Sequence, residues 1–271
     1  MGNLPFPKSV EQGKETWYLF PRDVEFRKSL FPEEAMAHPA KANLHMVKAL
    51  IEYVSTPGQV ILDPMSGTGS IMVAATVGRK VMCIEIEQLF FDLISIGKGM
   101  IQQQYPDADI TLLHGSCLDF LPMPGAADHI IFSPPYAQIM QKKKVSAKDV
   151  SQFMYNTTGL TTYSLSPNNL GTKNEFFYSM DMEKVYAGCY QTLKPGGTMT
   201  VIIKDHMRNG QRVYFSDWVM RVCMRLGFDI TDWFKWDAPG TGYQQIHKSH
   251  GVEVVEDEDL MVFTKKEAPH A

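Results

Sequence analysis

The sequence predicts an α/β fold with a mostly parallel sheet that helices cover on both faces. Short apolar runs alternate with segments of helical periodicity, as is typical of strand-helix-strand units. The first two runs end in Asp63 and Glu85, and ligands bind at the carboxyl ends of such strands. The chain has 271 residues and is 44% hydrophobic, which suits one large domain with insertions or two small ones.

The individual elements follow from the apolar pattern in chain order. Apolar residues between 43 and 54 recur at helical spacing, and Pro57-Gly58 ends this first helix. We expect buried strands, the last two forming a closing pair, at residues 60–62, 81–84, 110–113, 129–132, 198–203, 228–233 and 260–264. Further helices are expected at 71–75, after Glu85 through residue 101, and near 180–193 and 218–226.

The chain divides into an arm and one domain. Four prolines interrupt residues 1–37, which we interpret as an irregular N-terminal arm that packs on a domain surface. Residues 38–271 then form a single domain. A long polar stretch at about 137–178 separates the fourth and fifth strands and is interpreted as an insertion in that domain.

The composition argues against several classes of protein. A net charge of −4 does not suit a protein that coats nucleic acid. No apolar run approaches the roughly 20 residues of a membrane span, and the N-terminus lacks a signal-peptide core. Four scattered cysteines indicate buried thiols in a cytoplasmic protein. His247, His250 and Glu253 lack a second ligand pair, so no metal site is predicted.

Residues 63–69, Asp-Pro-Met-Ser-Gly-Thr-Gly, have the pattern of a nucleotide-cofactor loop. A buried strand leads through a Gly-x-Gly turn into a helix, which lets a ligand approach the backbone. The third glycine of the dinucleotide fingerprint is missing, as is the Gly-Lys-Ser/Thr of a phosphate loop. Glu85 is placed to accept hydrogen bonds from ribose hydroxyls, and an acidic loop suits a sulfonium cofactor. The alternative is a tight structural turn beside a solvated acid.

Ser133-Pro-Pro-Tyr136 follows the fourth strand and is the most specific motif. Its two prolines fix φ and remove two backbone donors, so the carbonyl groups there only accept hydrogen bonds. A base amino group needs such acceptors, and the tyrosine offers a stacking face for an extruded base. The alternative is a rigid turn with a surface tyrosine. Cytosine C5 methylation needs a cysteine nucleophile, and no cysteine lies beside this motif.

The order of these motifs resembles that of the S-adenosylmethionine-dependent DNA amino-methyltransferases, which form N4-methylcytosine or N6-methyladenine. The loop at 63–69 is similar to their cofactor motif, and Ser133-Pro-Pro-Tyr136 to the Ser-Pro-Pro-Tyr form of their catalytic motif. His38-Pro-Ala-Lys41 resembles the cofactor-contacting motif that precedes the loop, and Leu193-Lys-Pro-Gly-Gly197 resembles the turn before the fifth strand. The similarity spans about residues 38–264.

The resemblance implies a Rossmann-like class I methyltransferase fold, with a seven-stranded, mostly parallel sheet and one antiparallel strand. It implies S-adenosylmethionine as the cofactor and double-stranded DNA with a flipped base as the partner, in DNA methylation of the restriction-modification type. The catalytic residues would be Ser133, Pro134, Pro135 and Tyr136. The cofactor would be bound by Lys41, Asp63, Pro64, Met65, Ser66, Gly67, Thr68, Gly69, Glu85, Ile86, Ser116 and Cys117.

The base and the type of nucleic acid stay open. The Ser-Pro-Pro-Tyr form is commoner in cytosine-N4 enzymes, so N4-methylcytosine is the expected product, with adenine N6 and guanine N2 of RNA as alternatives. A catalytically silent cofactor-binding or DNA-binding module is the alternative of another class. The family places an acid after the third strand to contact the adenine amino group, whereas this chain has Ser116 there and Asp119 further on.

Target recognition would fall to the insertion at about 137–178 and to residues 238–255, because the chain has no large separate recognition domain. Side chains in the insertion that are able to stack or read base edges are Tyr155, Tyr163, Asn168, Asn169 and Lys173. Two basic clusters, Lys142–Lys144 with Lys148 and Arg208 with Arg212, either bind phosphates or belong to solvated loops. Asp205 has either a helper role near the cofactor or a structural one.

Overall fold

The computed structural model of the chain describes residues 9–12, 15–37, 41–135, 168–238, 249–251 and 253–266. Within these residues, nine strands form one sheet in the order β1-β2-β10-β11-β7-β6-β3-β4-β5, and β8 and β9 form a hairpin. The strands are β1 (Ser9–Gln12), β2 (Glu15–Tyr18), β3 (Val60–Asp63), β4 (Lys80–Glu85), β5 (Ile110–His114), β6 (Ala127–Phe132), β7 (Leu193–Ile203), β8 (His206–Arg208), β9 (Gln211–Val213), β10 (Phe228–Asp237) and β11 (Asp257–Lys265).

The described part of the chain contains six α-helices and three 3-10 helices. The α-helices are α1 (Val24–Leu30), α2 (Leu44–Val54), α3 (Gln88–Gln104), α4 (Cys117–Phe120), α5 (Glu175–Thr192) and α6 (Phe215–Arg225). The 3-10 helices are Glu33–Ala37, Ser70–Val77 and Leu170–Thr172, the second of which replaces the helix predicted at 71–75. Among the described helices, none combines the length and apolar character that crossing a membrane requires.

Seven strands, β5-β4-β3-β6-β7-β11-β10, correspond to the predicted sheet. β3 pairs in parallel with β4 and β6, and the pairs β4–β5 and β6–β7 are parallel as well. β11 runs antiparallel to both of its neighbours, β7 and β10. The predicted fold class is therefore confirmed. The carboxyl ends of β3, β4 and β6 meet at one edge of the sheet, where a ligand site is expected.

Two N-terminal strands extend the sheet beyond the predicted seven. β2 pairs in parallel with β10 at Trp17 and Tyr18, and β1 pairs antiparallel with β2. The rings of Tyr18 and Phe234 meet edge to face with centroids 5.8 Å apart. Backbone hydrogen bonds and an aromatic contact thus hold the strand pair β1–β2 against β10.

The prediction of an irregular arm at residues 1–37 is wrong for the part of it that the structure describes. Besides the two strands, it forms α1 and a 3-10 helix, and Leu30 and Phe31 are buried in the domain core. Arg27 is fully buried, and its guanidinium donates to Asp23 at 2.8 Å and to the Ala42 carbonyl at 2.6 Å. Of the prolines that suggested irregularity, Pro21 and Pro32 are described, and both stand between these elements rather than within them.

Apolar side chains form one cluster on each face of the sheet. Successive residues of a strand point to opposite faces, and Ile61 and Leu62 accordingly belong to different clusters. The first cluster packs α2, α3 and the 3-10 helix Ser70–Val77, and the second packs α5 and α6. Both faces are therefore covered, as the sequence predicts.

The hairpin β8–β9 was not predicted, although its turn has a recognisable sequence. Asn209 and Gly210 have φ of 53° and 76°, and Asn-Gly is the pair that favours such a two-residue turn. In this hairpin Arg212 donates to Asp205 at 2.9 Å and to both oxygens of Asp257 at 2.8 and 2.7 Å. Arg212 is therefore neutralised within the fold.

Arg208, the other member of the second basic cluster, and Asp205 also have partners within the protein. Arg208 pairs with Glu175 at 2.9 Å. Asp205 accepts hydrogen bonds from the backbone N–H and the hydroxyl of Ser216 at 3.0 Å each, at the start of α6. These contacts favour a structural role for Asp205 and ion pairs within the protein for Arg208 and Arg212.

Candidate active site

A cavity of about 290 Å³ opens at the carboxyl ends of β3, β4 and β6. Its lining consists of Lys41, Ala42, Val47, residues 63–68, Ser70, Ile71, residues 84–87, Phe90, residues 115–117, 131–135 and 168–171, and Ile202. Every residue predicted to bind cofactor is on this lining except Gly69. Of the predicted catalytic motif, Ser133, Pro134 and Pro135 line the same cavity, and Tyr136 lies outside the described residues.

The loop at 63–69 is held in shape by side chains at both of its ends. One carboxylate oxygen of Asp63 accepts from the backbone N–H of Met65 at 2.9 Å, and the Ser66 hydroxyl donates to the Asp63 carbonyl at 3.0 Å. The Gly67 N–H donates to the Glu85 carboxylate at 2.6 Å, which joins the loop to the end of β4. The loop is therefore preorganised before any ligand enters.

The two glycines of this loop have different surroundings. Gly69 has φ of 81°, and a Cβ there would lie 2.7 Å from Met72 Cε and 2.9 Å from Ile94 Cγ2, so close packing requires glycine. Gly67 has φ of 53° and lines the cavity, and a Cβ there would meet no protein atom within 4 Å. The space beside Gly67 is therefore part of the cavity, whereas glycine at position 69 is required by the packing of the loop.

Glu85 has a second contact besides the one to Gly67. Its other carboxylate oxygen accepts from the backbone N–H of Glu87 at 2.8 Å. Burial is the main cause that raises the pKa of Glu85 to about 7 and that of Asp63 to about 8, and backbone hydrogen bonds oppose the rise in both. Burial therefore favours the protonated forms of these two carboxyl groups, and a cationic ligand would favour their ionised forms.

The raised pKa values predict how stability depends on pH. Between about pH 4 and 8 the folded state keeps protons on Asp63 and Glu85 that the unfolded chain releases. The contribution of these two groups to the free energy of unfolding is therefore largest near pH 4 and falls as pH rises to about 8. The decrease is at most about 1.4 kcal/mol per pH unit for each group. We expect Asp63→Asn to flatten the decline, as measured by denaturant unfolding from pH 5 to 8.

The exposed residue Asp109 provides the control for this measurement, since its side chain is 57% exposed. The variant Asp109→Asn should keep the pH dependence of the wild type. A wild type and an Asp63→Asn variant with parallel stability curves would contradict the account of Asp63.

Segment 168–171 forms a wall of the cavity that the sequence did not predict. Asn169 donates through Nδ2 to Glu87 Oε1 at 2.5 Å, and its Oδ1 accepts from the Gly171 N–H at 3.0 Å. Glu87 stands at the N-cap position of α3 but makes no cap hydrogen bond with its side chain. The sequence predicts Asn169 as a reader of base edges, whereas it lies on the cavity wall, 5% exposed.

Ser116 and Cys117 line the cavity after β5, where the family usually has an acid. The Ser116 hydroxyl accepts from the Leu118 N–H at 3.2 Å and so caps α4. Cys117 is buried, and this burial raises the pKa of its thiol to about 12. Because the thiolate is the reactive form of cysteine, burial disfavours Cys117 as a nucleophile although it lines the cavity.

Several predicted residues lie elsewhere. Asp205, Arg208 and Arg212 are absent from the cavity lining. The predictions that involve Lys142–Lys144, Lys148, Tyr155, Tyr163 and His247 fall outside the described residues. In the part of the chain that is described, no three His, Cys, Asp or Glu side chains are grouped so that they would hold a metal ion.

The lining fits the cofactor that the sequence resemblance implies. S-adenosylmethionine carries a sulfonium, an ammonium, a carboxylate, a ribose diol and a flat adenine. The carboxyl groups of Asp63, Glu85 and Glu87 suit the cationic and hydroxyl groups, and Lys41 suits the carboxylate. The apolar lining residues, which suit adenine, include Ile86, Phe90 and Leu170. Buried acids beside the open space at Gly67 therefore match this ligand.

Two solved structures with a similar fold are distant from this chain in sequence. YcgJ from Bacillus subtilis has a TM-score of 0.52 at 11% identity, with 83% of this chain and 99% of that chain covered. A phosphoethanolamine N-methyltransferase from Haemonchus contortus, in complex with S-adenosylhomocysteine, has a TM-score of 0.51 at 11% identity, with 85% and 55% covered. These two likenesses show the fold alone.

TrmN from Thermus thermophilus is also similar, with a TM-score of 0.49 at 15% identity, covering 86% of this chain. This chain spans about half of TrmN, 52% of its length. No curated protein matches the chain in sequence.

The family is shown by the sequence itself. A family described as DNA methylase, of the N6 and N4 methyltransferases, matches residues 8–95 and 127–270. The match includes the loop at 63–69, Glu85, the motif that starts at Ser133, and the segment 168–171. It therefore covers the cavity lining from β3 to β7 apart from the residues after β5. The chain belongs to the DNA methylase family of N6 and N4 amino-methyltransferases, and its methyl donor is S-adenosylmethionine.

Proposed function

We propose that this methyltransferase acts on the exocyclic N4 amino group of cytosine in double-stranded DNA. The observation that carries the proposal is that Ser133, Pro134 and Pro135 line the same cavity as the loop at 63–68 and Glu85. Groups able to accept hydrogen bonds from an amino group thus line the cavity in which we propose that the cofactor binds. Serine at position 133 favours cytosine over adenine through the resemblance to Ser-Pro-Pro-Tyr enzymes.

The cofactor has a proposed place in this cavity. The backbone of residues 65–68 would hold its methionine end, with Lys41 at the carboxylate and Asp63 ordering the loop. Glu85 would accept from the ribose, since each carboxylate oxygen that binds a backbone N–H keeps a further lone pair. Ile86 would pack on the adenine. The bound sulfonium supplies an already activated methyl group.

The protein would then act by positioning the base. Ser133 and the carbonyl oxygen of Pro134 would accept hydrogen bonds from the amino group, which orients the nitrogen lone pair toward the methyl group. Neither proline carries an N–H that competes for these acceptors. Tyr136 would stack on the flipped base. The rate of methyl transfer would thus come mainly from the alignment of the amino nitrogen with the methyl group and from fixed protein dipoles. Acid-base and covalent catalysis would contribute less.

The cysteines give no support to a covalent mechanism. All four are buried, and burial raises the pKa of every one of these thiols. A C5-cytosine methyltransferase needs a reactive thiolate at the base. Direct transfer to an amino nitrogen is therefore the reaction that this lining supports.

The substrate is tested by methylation of defined nucleic acids. The purified chain is incubated with labelled S-adenosylmethionine and unmethylated genomic DNA or total RNA, and the nucleosides are separated by mass spectrometry. N4-methylcytosine in DNA is expected. N6-methyladenine in DNA would instead identify adenine as the target base, and N2-methylguanine in RNA would identify RNA as the substrate. No transfer to either nucleic acid would favour a catalytically silent module.

If DNA is the substrate, we expect Lys142, Lys143 and Lys144 to bind its phosphates. Changing all three to glutamine should weaken DNA binding and reduce its salt slope by about one unit for each phosphate that the protein no longer neutralises. Cofactor affinity should stay the same. A matched variant with Lys28, Lys48 and Lys80 changed removes the same charge at exposed or half-exposed sites. Equal salt slopes for the two variants would refute the role.

A further inference from the structure

Lys204 and Glu258 form an ion pair at the carboxyl edge of the sheet, one strand away from Ser133. Ser133 follows β6, Lys204 follows β7, and Glu258 stands near the start of β11, with β7 lying between β6 and β11. Ile203 pairs with Asp259 in the sheet, which places Lys204 opposite Glu258. The Lys204 ammonium and the Glu258 carboxylate are 3.8 Å apart, and their side chains are 13% and 20% exposed.

The pair lies on the same face of the sheet as the cavity. Side chains two residues apart in a strand share a face. Ile131 and Ile202 line the cavity, and Ser133 and Lys204 follow them by two residues. Because neighbouring strands are about 4.8 Å apart, the long stem of Lys204 brings its ammonium within reach of a base held at Ser133. The row of polar groups that starts in the cavity therefore continues to Lys204.

The turn at Ser133-Pro134-Pro135 supplies only part of what a base requires. Its carbonyl groups accept hydrogen bonds, and its two prolines donate none. In cytosine the amino group shares its edge with N3 and O2, in adenine it shares its edge with N1, and these ring-side atoms only accept. A donor must therefore come from beside the turn. The ammonium of Lys204, on the neighbouring strand and the same face, carries three.

The contact with Glu258 holds the Lys204 ammonium without engaging its donors at hydrogen-bond distance. A separation of 3.8 Å exceeds the roughly 2.7–3.2 Å of an N–H···O hydrogen bond, so the attraction is electrostatic. The neighbouring lysine on β10 differs in this respect. Lys235 donates to Asp257 and to Asp259 at 2.8 Å each and is neutralised within the fold. Lys204 is therefore the lysine of this edge that suits a ligand.

We propose that Lys204 binds the target base: Glu258 positions its ammonium, which donates a hydrogen bond to the ring acceptor beside the amino group that Ser133 and Pro134 hold. This inference rests on the proposed function, because it requires the base at Ser133. It also states which bases the site takes. Cytosine and adenine present an acceptor beside the amino group, whereas guanine presents its N1–H donor beside the N2 amino group. Lys204 therefore selects against guanine.

Single-turnover methyl transfer to unmethylated genomic DNA, with saturating S-adenosylmethionine, tests the role of Lys204. Lys204→Met keeps most of the apolar stem and removes the donors, so it should slow transfer by about 10- to 100-fold. Lys204→Gln keeps N–H donors and should be faster than Lys204→Met. Loss of packing alone would give the opposite order, since methionine suits a largely buried position better. Affinity for S-adenosylhomocysteine, measured by calorimetry, should match wild type, because Lys204 is absent from the cavity lining.

A double variant separates base binding from a purely structural ion pair. If the pair only joined β7 to β11, Lys204→Met would act by leaving the Glu258 carboxylate without its partner. The double variant Lys204→Met, Glu258→Gln removes that charge and would then transfer at the wild-type rate. We expect it to stay as slow as Lys204→Met, because the donor is still missing.

Lys194 provides the matched control. It stands at the other end of β7, at the opposite edge of the sheet, and pairs with Asp128 at 2.7 Å. Lys194→Met removes a lysine from an ion pair of the same strand and should transfer at the wild-type rate. Should Lys204→Met not fold, the double variant, which carries no unpaired charge, gives the same comparison with this control.

The outcomes that overturn the inference differ from those that overturn the proposed function. Wild type that transfers no methyl group to DNA, or that forms N2-methylguanine in RNA, would refute both. With wild type active on DNA, a Lys204→Met variant as fast as Lys194→Met would refute the role of Lys204 alone. A double variant restored to the wild-type rate, or Lys204→Gln slower than Lys204→Met, would also contradict it.

Discussion

Replacing Gly67 by alanine should weaken the binding of S-adenosylmethionine by at least about tenfold, which corresponds to about 1.4 kcal/mol. Gly67 lines the cavity, and a Cβ on it would meet no protein atom within 4 Å. The added methyl group would therefore occupy space that we assign to the cofactor. Its φ of 53° adds backbone strain, and calorimetry of the folded variant measures the affinity directly.

Gly58 offers a matched control for this strain. It has φ of 87°, a Cβ there would also meet nothing within 4 Å, and it lies outside the cavity lining. Gly58→Ala should lower stability by about 1–2 kcal/mol through strain and keep full cofactor affinity. If Gly67→Ala binds the cofactor as tightly as Gly58→Ala does, the loop is a structural turn and the cofactor is held elsewhere.

Replacing Tyr136 by alanine should slow methyl transfer by about one to two orders of magnitude. Stacking of a base on an aromatic ring contributes roughly 1–3 kcal/mol, and this contribution disappears when the ring is removed. Cofactor affinity should be preserved, because the tyrosine is assigned to the base. Single-turnover kinetics with saturating cofactor measure the transfer step.

Tyr105 is the control for the removal of a tyrosine ring. It is 40% exposed and follows the end of α3, away from the cavity lining. Tyr105→Ala should transfer methyl groups at the wild-type rate. Equal transfer rates for the two variants would show that Tyr136 has no role in methyl transfer. The motif would then be only a rigid turn.

The sheet was predictable because its central strands carry a strong local signal. β3 and β4 are short apolar runs that end in Asp63 and Glu85, and such runs are typical of buried parallel strands. The N-terminal strands carry no such signal. β2 has exposed or half-buried residues throughout, and its pairing with β10 depends on contacts with residues more than 200 positions away. Such pairings are invisible to local periodicity.

The candidate site was predictable where motifs follow strands and not where distant segments meet. The carboxyl ends of β3, β4 and β6 are adjacent in a parallel sheet, so the loop, Glu85 and Ser133 had to converge. The contact from Glu87 to Asn169 joins residues 82 positions apart. The one available signal was Glu87 itself, a second acid placed two residues after the predicted ribose acid.

Charge patterns were the least reliable guide. Arg208 and Arg212 form a basic cluster in the sequence, but Glu175, Asp205 and Asp257 neutralise them. Asp257 and Asp205 come from separate parts of the chain, so their proximity to Arg212 follows only from the order of the strands. Burial would raise the pKa of the Asp257 carboxyl, but hydrogen bonds from Arg212 and Lys235 together lower it to about 2.

The position of the transferred methyl group tests the central claim most directly. Wild type and the four single variants Cys83→Ala, Cys117→Ala, Cys189→Ala and Cys223→Ala are each allowed to methylate unmethylated DNA, and the modified nucleosides are identified by mass spectrometry. Direct transfer predicts a methyl group on an exocyclic nitrogen, N4-methylcytosine first, in every folded variant. A product of 5-methylcytosine, or a folded Cys117→Ala variant that binds the cofactor with wild-type affinity but transfers no methyl group, would contradict a mechanism without a covalent intermediate.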